Sequence, residues 1–271
     1  MSAAGTIVVE TDGALGWIRI NRPERLNAFT DDMRDEIHAG LERLEAESSV
    51  RCVILTGVGR AFSTGGDISV MAEIAERGDE QRFESLVRAG ARIVSRIASM
   101  TKPVIAAVNG PAAGAGACLA LACDLRVACD TASLGFTFLR VGLHPDWGGS
   151  WFLPRLIGLP LAAEAVFTGG MINAERCERL GLFNRIVPAK ELETAVRGIA
   201  GQIAAMPAEV LADAKRNLRA GLDSTLSEVL EAEVAAQLRA FRSADFREGI
   251  NAFLAKRTPR FNRPAPGNGG R

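Results

Sequence analysis

Val104-Ile105-Ala106-Ala107-Val108-Asn109-Gly110-Pro111-Ala112-Ala113-Gly114-Ala115-Gly116-Ala117-Cys118-Leu119-Ala120-Leu121-Ala122-Cys123-Asp124-Leu125-Arg126-Val127-Ala128 decides the fold. Val104 to Val108 is a continuous apolar run of the kind buried in a parallel sheet, and Asn109-Gly110 ends it. The small residues from Ala112 to Cys123 read as a buried helix, and Leu125 to Ala128 as the next strand. Strand, helix and strand joined by short loops make a right-handed crossover unit.

The alternation extends upstream. Val50 to Thr56 is a second apolar strand ending at Gly57, followed by an amphipathic helix that carries Phe83, Leu86, Val87, Ile93, Val94 and Ile97 and is closed by Lys102-Pro103. Met33, Ile37, Leu41 and Leu44 recur at helical spacing behind Thr30, a candidate N-cap. Ile7 to Glu10 and Trp17 to Asn21 flank Asp12-Gly13 and predict an opening hairpin. After Pro154 the pattern turns helical over Leu161 to Thr168, Asn173 to Leu180 and three longer segments from Lys190 onward, with one brief strand at Phe183 to Val187. The final helix, Asp245 to Lys256, begins behind Ser243 and Asp245 and carries Phe246, Ile250, Phe253 and Leu254 on one side. The stretch from Pro264, rich in Pro and Gly, is expected to be disordered.

The chain has 271 residues, of which 48% are hydrophobic and 24% charged, enough for a full core in one α/β domain with a small appendage. Lysines plus arginines equal aspartates plus glutamates at 32 each, which leaves no basic footprint for nucleic acid. There is no signal-peptide pattern and no apolar run long enough to span a bilayer, so a cytoplasmic protein is expected. Of the five cysteines, Cys52, Cys118, Cys123 and Cys129 lie in apolar context and read as buried reduced thiols. No metal-ligand spacing is present, and only His38 and His144 could supply an imidazole.

Three segments carry the chemistry. Pro145-Asp146-Trp147-Gly148-Gly149 follows the strand-like Ser133 to Phe136 and presents one acid on a tight turn. Ala61-Phe62-Ser63-Thr64-Gly65-Gly66-Asp67 and Asn109 to Ala117 are glycine-rich turns, each leaving a strand and entering a helix. Neither fits G-x-G-x-x-G, no Walker A lysine exists, and Gly148-Gly149-Ser150 is not a nucleophile elbow. What remains is backbone amide chemistry: two such turns can aim two N–H groups, those of Ser63 and Ala115, at one oxygen. An enolate formed by loss of an α-proton next to a thioester requires such donors, each worth about 2.7–4 kcal/mol.

Asn21-Arg22-Pro23-Glu24-Arg25-Leu26-Asn27-Ala28-Phe29, the Ala61 to Ile68 turn, Asn109 to Gly116, Pro145 to Gly149 and Ala252-Phe253-Leu254-Ala255-Lys256-Arg257 resemble, in order and spacing, the signature blocks of the enoyl-CoA hydratase/isomerase (crotonase) superfamily. The resemblance implies an α/β fold with a crotonase-like ββα spiral core over residues 1–190, holding the CoA and active site. It also implies a C-terminal helical trimerisation region over 191–262, ahead of the tail at 263–271. Acyl-CoA thioesters would be the substrates and a homotrimer or dimer of trimers the assembly, with no nucleic acid, membrane, metal or redox cofactor. The thioester oxygen would sit on the amides of Ser63 and Ala115. Arg25 and Lys256 would meet the CoA phosphates, Lys256 often from a neighbouring subunit, and Asp67 would lie beside the adenine. Leu26, Ala28, Ala61, Gly65, Gly66, Ile68, Gly114, Cys118 and Phe253 would complete the substrate-binding set, with Phe138 and Trp147 lining a pocket suited to an unsaturated or aromatic acyl chain.

Hydratases of this superfamily split water with two glutamates. Judged by spacing from Asn109 and Pro145, the equivalent positions here are Cys118 and Phe138, so Asp146 is the one acid offered. One carboxylate suffices to move a double bond, because it can take a proton from one carbon and return it two carbons away. The Asp146 block together with Ser243 to Gly249 is similar to the 1,2-epoxyphenylacetyl-CoA isomerase-like branch, whose matching aspartate is the base. The resemblance therefore implies an isomerase; a hydratase, or a non-catalytic CoA-binding assembly partner, are the alternatives. Plainer roles compete at several positions: Asp146 as a helix cap, Asp67 as a charge at a helix N-terminus, Trp147, Phe138 and Trp151 as core, and Lys256 with Arg257 as solvated charges. His144, two residues before Asp146, could tune that acid.

Overall fold

The structure, a computed structural model, describes residues 5–262; the expected tail lies outside the described residues. The predicted hairpin is present as β1 (Ile7–Asp12) and β2 (Leu15–Ile20), paired antiparallel. α1 (Asp31–Ala46) buries Met33, Ile37, Leu41 and Leu44, and although Thr30 is its N-cap, the hydroxyl makes no capping bond. β3 (Cys52–Gly57) is buried throughout. Two helices then stand where one was predicted, α2 (Ile68–Arg77) and α3 (Glu80–Ser99). Gly78 ends the first in a left-handed conformation, and the Asp79 side chain starts the second by accepting a hydrogen bond from Arg82 N.

β4 (Val104–Val108) agrees with its prediction, but the expected helix from Ala112 opens as a strand. β5 (Pro111–Ala113) pairs with β7 (Ser133–Gly135), and only from Ala115 does the chain turn into α4 (Ala115–Ala122), every residue of which is buried. β6 (Leu125–Cys129) lies between α4 and β7 in sequence. After them come α5 (Gly149–Ile157), α6 (Leu159–Thr168), β8 (Met171–Asn173), α7 (Ala174–Arg179) and β9 (Arg185–Val187). The last third holds α8 (Leu192–Ala204), α9 (Ala208–Ala220), α10 (Leu226–Arg242) and α11 (Ala244–Leu254), the last capped by Ser243 as expected.

The larger sheet has the order β1-β2-β3-β4-β6-β9, parallel apart from β1, and the smaller one the order β5-β7-β8. Bridges between Ser63 and Ala112 and between Phe29 and Gly66 prolong the smaller layer. The chain thus winds through both layers, giving a strand to each before the next helix. α8 packs over β3, β4 and β6 through Leu192, Val196 and Ala200, so the core's cover extends past residue 190, where the sequence reading had placed its boundary. α9 is fixed by charge. Asp124, between α4 and β6, accepts from Val104 N and pairs with Lys215 at 2.8 Å and Arg219 at 2.7 Å. The buried Lys215 ammonium also donates to Ile97 O and Lys102 O, which compensates a cation whose pKa burial pushes down and Asp124 pulls back up.

Candidate active site

The two glycine-rich turns meet after β3 and before α4. Asn27, fully buried, donates to Val58 O and Ala61 O and accepts from Arg22 N, which fixes the start of the first turn. Its own carbonyl accepts from Ser63 Oγ at 2.8 Å, and the same hydroxyl accepts from Gly65 N. The serine side chain therefore clamps the turn, a role that a reading of its backbone alone leaves out. Ser63 O accepts from Ala113 N at 2.9 Å, and Gly116 lies so close that a Cβ there would sit 2.2 Å from Ser63 O. Only glycine permits this approach. With their neighbours so bonded, Ser63 N–H and Ala115 N–H have no acceptor among the described residues. Ala115 is the first residue of α4, where free amides and the helix dipole favour negative charge.

The acid stands on the turn before α5. Trp147 takes a left-handed conformation, φ 48°, and stacks on Phe29 with centroids 5.0 Å apart and planes within 5°. Its indole rests on Gly90 of α3, where a Cβ would lie 2.1 Å from Nε1. This buried wedge holds Asp146 at the cavity, and α5 is capped at Gly148, not by the Asp146 side chain. Asp146 Oδ1 is buried with no hydrogen-bond partner among the described residues. Burial lifts the Asp146 pKa to about 6, against the pull of Arg34 first, a backbone amide next and His144 last. A carboxylate poised so close to neutrality suits proton transfer.

Arg34 is the residue that the sequence reading missed. It is 3% exposed on α1 and lines the same cavity as Asp146. Burial lowers its pKa, offset by Asp31, Asp146 and Asp35. The signal was available: Arg34 shares a helical face with Ile37, Leu41 and Leu44, a cation on an apolar stripe.

The cavity has a volume of about 430 Å³. It is lined by Ala115, Asp146, Gly66, Ile68, Gly114, Phe138 and Trp147 of the expected set, with Thr64, Met71, Phe83, Leu86, Val87 and Thr137 added by the structure. Through Ile68, Met71, Phe83, Val141 and Leu143 it adjoins a second, apolar hollow of about 480 Å³ beside α2 and α3. Cys118 does not line it. That thiol is buried beneath the turn, where a Cβ at Gly149 would lie 2.7 Å from Sγ, and burial raises its pKa far above the usual thiol range. Asp67 caps α2 through Ser69 N and pairs with Arg22 at 2.5 Å; burial raises its pKa, but these bonds outweigh it and hold the carboxyl below its usual value. Ala28, Ala61 and Gly65 are buried near the first turn, Leu26 is half-buried and Arg25 exposed. Phe253 and Lys256 are exposed at the end of α11 and do not line this protomer's cavity. Among the described residues no cluster of three or more His, Cys, Asp or Glu could hold a metal, and no helix is long and apolar enough to cross a membrane.

A family model described as Enoyl-CoA hydratase/isomerase matches residues 10–264. The chain belongs to the enoyl-CoA hydratase/isomerase family. It is 38% identical to the 1,2-epoxyphenylacetyl-CoA isomerase of Escherichia coli K12, over 90% of this chain and 93% of that protein. It is 40% identical to a probable enoyl-CoA hydratase of Rhodobacter capsulatus, over 94% of this chain and 97% of that one. The crystal structure of an enoyl-CoA hydratase from Bacillus anthracis superposes with a TM-score of 0.90 at 34% identity, covering 95% of this chain and 99% of its counterpart. The crotonase fold expected from the signature blocks is thereby established, and so is membership of an enzyme family acting on acyl-CoA thioesters.

Proposed function

We propose that this member of the family is an acyl-CoA double-bond isomerase. The observation that carries the reading is the lone carboxylate, Asp146, with a pKa near 6 at the cavity, while the two glutamate-equivalent positions hold Phe138 on the cavity wall and Cys118 buried beneath the turn. In a 3-enoyl-CoA, Asp146 takes a proton from C2 and the electron pair passes into a dienolate. The thioester oxygen, now negative, is held by Ser63 N–H and Ala115 N–H, worth most in a dry site. Asp146 then returns the same proton to C4, giving the 2-enoyl-CoA with no gain or loss of atoms. The same geometry serves a ring substrate of the epoxide or oxepin type. CoA is bound as part of the substrate, and the apolar hollow beside α2 and α3 gives room for the acyl group. Copies of the chain associate as a trimer or a dimer of trimers, with Lys256 reaching a neighbour's CoA phosphates.

Hydration is the second reading, because a relative at 40% identity is named a probable enoyl-CoA hydratase. It needs one group to deprotonate water and another to protonate the α-carbon, and a single carboxylate supplies them poorly. The purified protein, given a 3-enoyl-CoA and a 2-enoyl-CoA separately in heavy-oxygen water, should move the double bond without taking up label. Rapid appearance of a labelled 3-hydroxyacyl-CoA overturns the isomerase assignment.

A further inference from the structure

Arg34 is a buried cation without an anionic partner of its own. The carboxylates nearest to it are committed elsewhere, Asp31 to Arg82 at 2.8 Å and Asp35 to Arg92 at 2.9 Å, and no ion pair joins Arg34 to Asp146 among the described residues. One guanidinium nitrogen, Nη1, donates to Thr30 O at 2.7 Å and Phe29 O at 3.4 Å. Nε is buried out of reach of solvent with no partner. Nη2, next to Gly66, makes no hydrogen bond among the described residues and is not closed off in this way, so it is the donor that Arg34 presents to the cavity. Asp146 Oδ1, buried beside the same cavity, is equally without a partner. Leaving a buried charged donor unmade is costly, of order 1–3 kcal/mol or more, and such a group is satisfied by water or by what the cavity holds. A purely structural arginine would need only the Nη1 bonds, which a lysine or glutamine could supply. Of the remaining donors, Nη2–H is the one open to a ligand in the cavity.

We propose that Arg34 is a specificity-determining residue that donates from Nη2–H to an oxygen carried by the acyl group itself, beyond the thioester carbonyl. The preferred substrates are then oxygenated acyl-CoA thioesters, bearing an ether, epoxide, hydroxyl or oxo group, rather than plain hydrocarbon enoyl chains. The inference rests on the assignment of this cavity as the acyl site. It follows the asymmetry of polar recognition: a site built to bond an oxygen discriminates strongly against the analogue that lacks it, since its own donors are left bare.

Binding of unreactive thioesters tests the inference independently of turnover. Hexanoyl-CoA and its 4-oxa and 5-oxa analogues differ by one methylene replaced by oxygen, and their affinities for the wild-type protein and for Arg34→Met are read by calorimetry. The preference for at least one oxa analogue over hexanoyl-CoA should fall by roughly ten- to a hundredfold in Arg34→Met, the loss expected for a bond to a charged donor, while hexanoyl-CoA binds as before or more tightly. A ratio unchanged within twofold for both analogues overturns the proposal. Should Arg34→Met fail to fold, Arg34→Lys keeps the charge and the Thr30 bond but not the Nη2 donor, and must show the same loss. If no 3-enoyl-CoA is turned over yet the ratio shifts, the isomerase reading fails and the Arg34 inference stands; turnover with an unchanged ratio is the reverse.

Discussion

In the paired turns at Ser63 and Ala115, the Ser63 hydroxyl and carbonyl are bonded within one chain, and the amides of Ser63 and Ala115 have no acceptor among the described residues. In α10 no residue is buried, and Leu226, Leu230, Val234, Leu238 and Phe241 run along the helix at 49% to 74% exposure. The spacing of four, four, four and three residues puts them on one stripe. The first region is complete in a single protomer. The second carries the pattern of a buried face that, beyond the Phe241–Phe246 contact, nothing among the described residues covers, at about 25 cal/mol for each Å² left in water. In the proposed trimer, that face is what a neighbouring copy would close.

The sharpest way to break the first half of this contrast is Asp146→Asn. The side chain's shape survives, but an amide cannot accept the α-proton, and a residue that performs both transfers should cost kcat about 10⁴-fold or more, at or beyond the upper end for general acid–base groups. The variant should not be less stable at neutral pH. A carboxyl raised to about 6 binds its proton more tightly folded than unfolded, so it favours folding at low pH and loses that contribution as pH rises through 6. For the wild-type protein the base must be ionised, so kcat/KM should rise with pH through an inflection near 6. Near-native turnover in Asp146→Asn with an ordinary melting temperature means that the base is elsewhere.

Gly116→Ala attacks the turn pair without removing any functional group. The added methyl meets the Ser63 carbonyl oxygen at 2.2 Å and its carbon at 2.8 Å, both backbone atoms that cannot rotate away. The turns must separate, and the loss of one aligned oxyanion donor lowers kcat by about 10²–10³-fold. CoA binding, measured by calorimetry, should change far less. If kcat holds within a few-fold, the two amides do not act as a pair.

Val234→Asp tests the other half. A charge in the middle of the α10 stripe disturbs nothing within the protomer, where Val234 is 56% exposed, so the circular dichroism of the helices should persist. In light scattering the proposed trimer or hexamer should give way to smaller species, with a lower melting temperature. A wild-type protein that is already monomeric refutes the proposed assembly outright.

The contrast also explains what the sequence made legible. Strands such as Val104–Val108 announce themselves because burial on both faces leaves one unbroken apolar run. The Asp146 turn was equally plain, since proline, acid and two glycines have few other uses together. Arg34 shows in the sequence as a cation on the apolar stripe of α1, but its place beside Asp146 depends on which face of α1 meets a turn more than a hundred residues away, a tertiary fact. β5 was read as helix for the same reason: Pro111–Ala113 becomes a strand only through Ser133–Gly135. The split of α2 from α3 rests on local chemistry, Gly78 followed by the capping Asp79, and was readable but unread. The Ser63 side chain escaped because its partners, Asn27 O and Gly65 N, are backbone groups that any residue possesses.

The smallest expected effect joins the two regions. Lys256 follows α11 in a left-handed conformation, φ 51°, its amide bonded to Phe253 O, and its side chain is exposed with no ion pair among the described residues. Its neighbour Arg257 is engaged instead, with Glu248 at 2.6 and 2.8 Å. Of two adjacent cations, one is therefore free to meet a phosphate and the other is held in place. Lys256→Ala should raise KM for the acyl-CoA by about fivefold, the scale of a solvent-screened ionic contact, and leave kcat nearly unchanged, because a remote phosphate contact acts equally in ground and transition states. Arg257→Ala should leave KM alone and loosen the end of α11. Raised salt should erase most of the Lys256 effect and none of the Asp146 one. An unchanged KM in Lys256→Ala removes this residue from the CoA site, and with it the neighbour's expected share in an otherwise self-contained cavity.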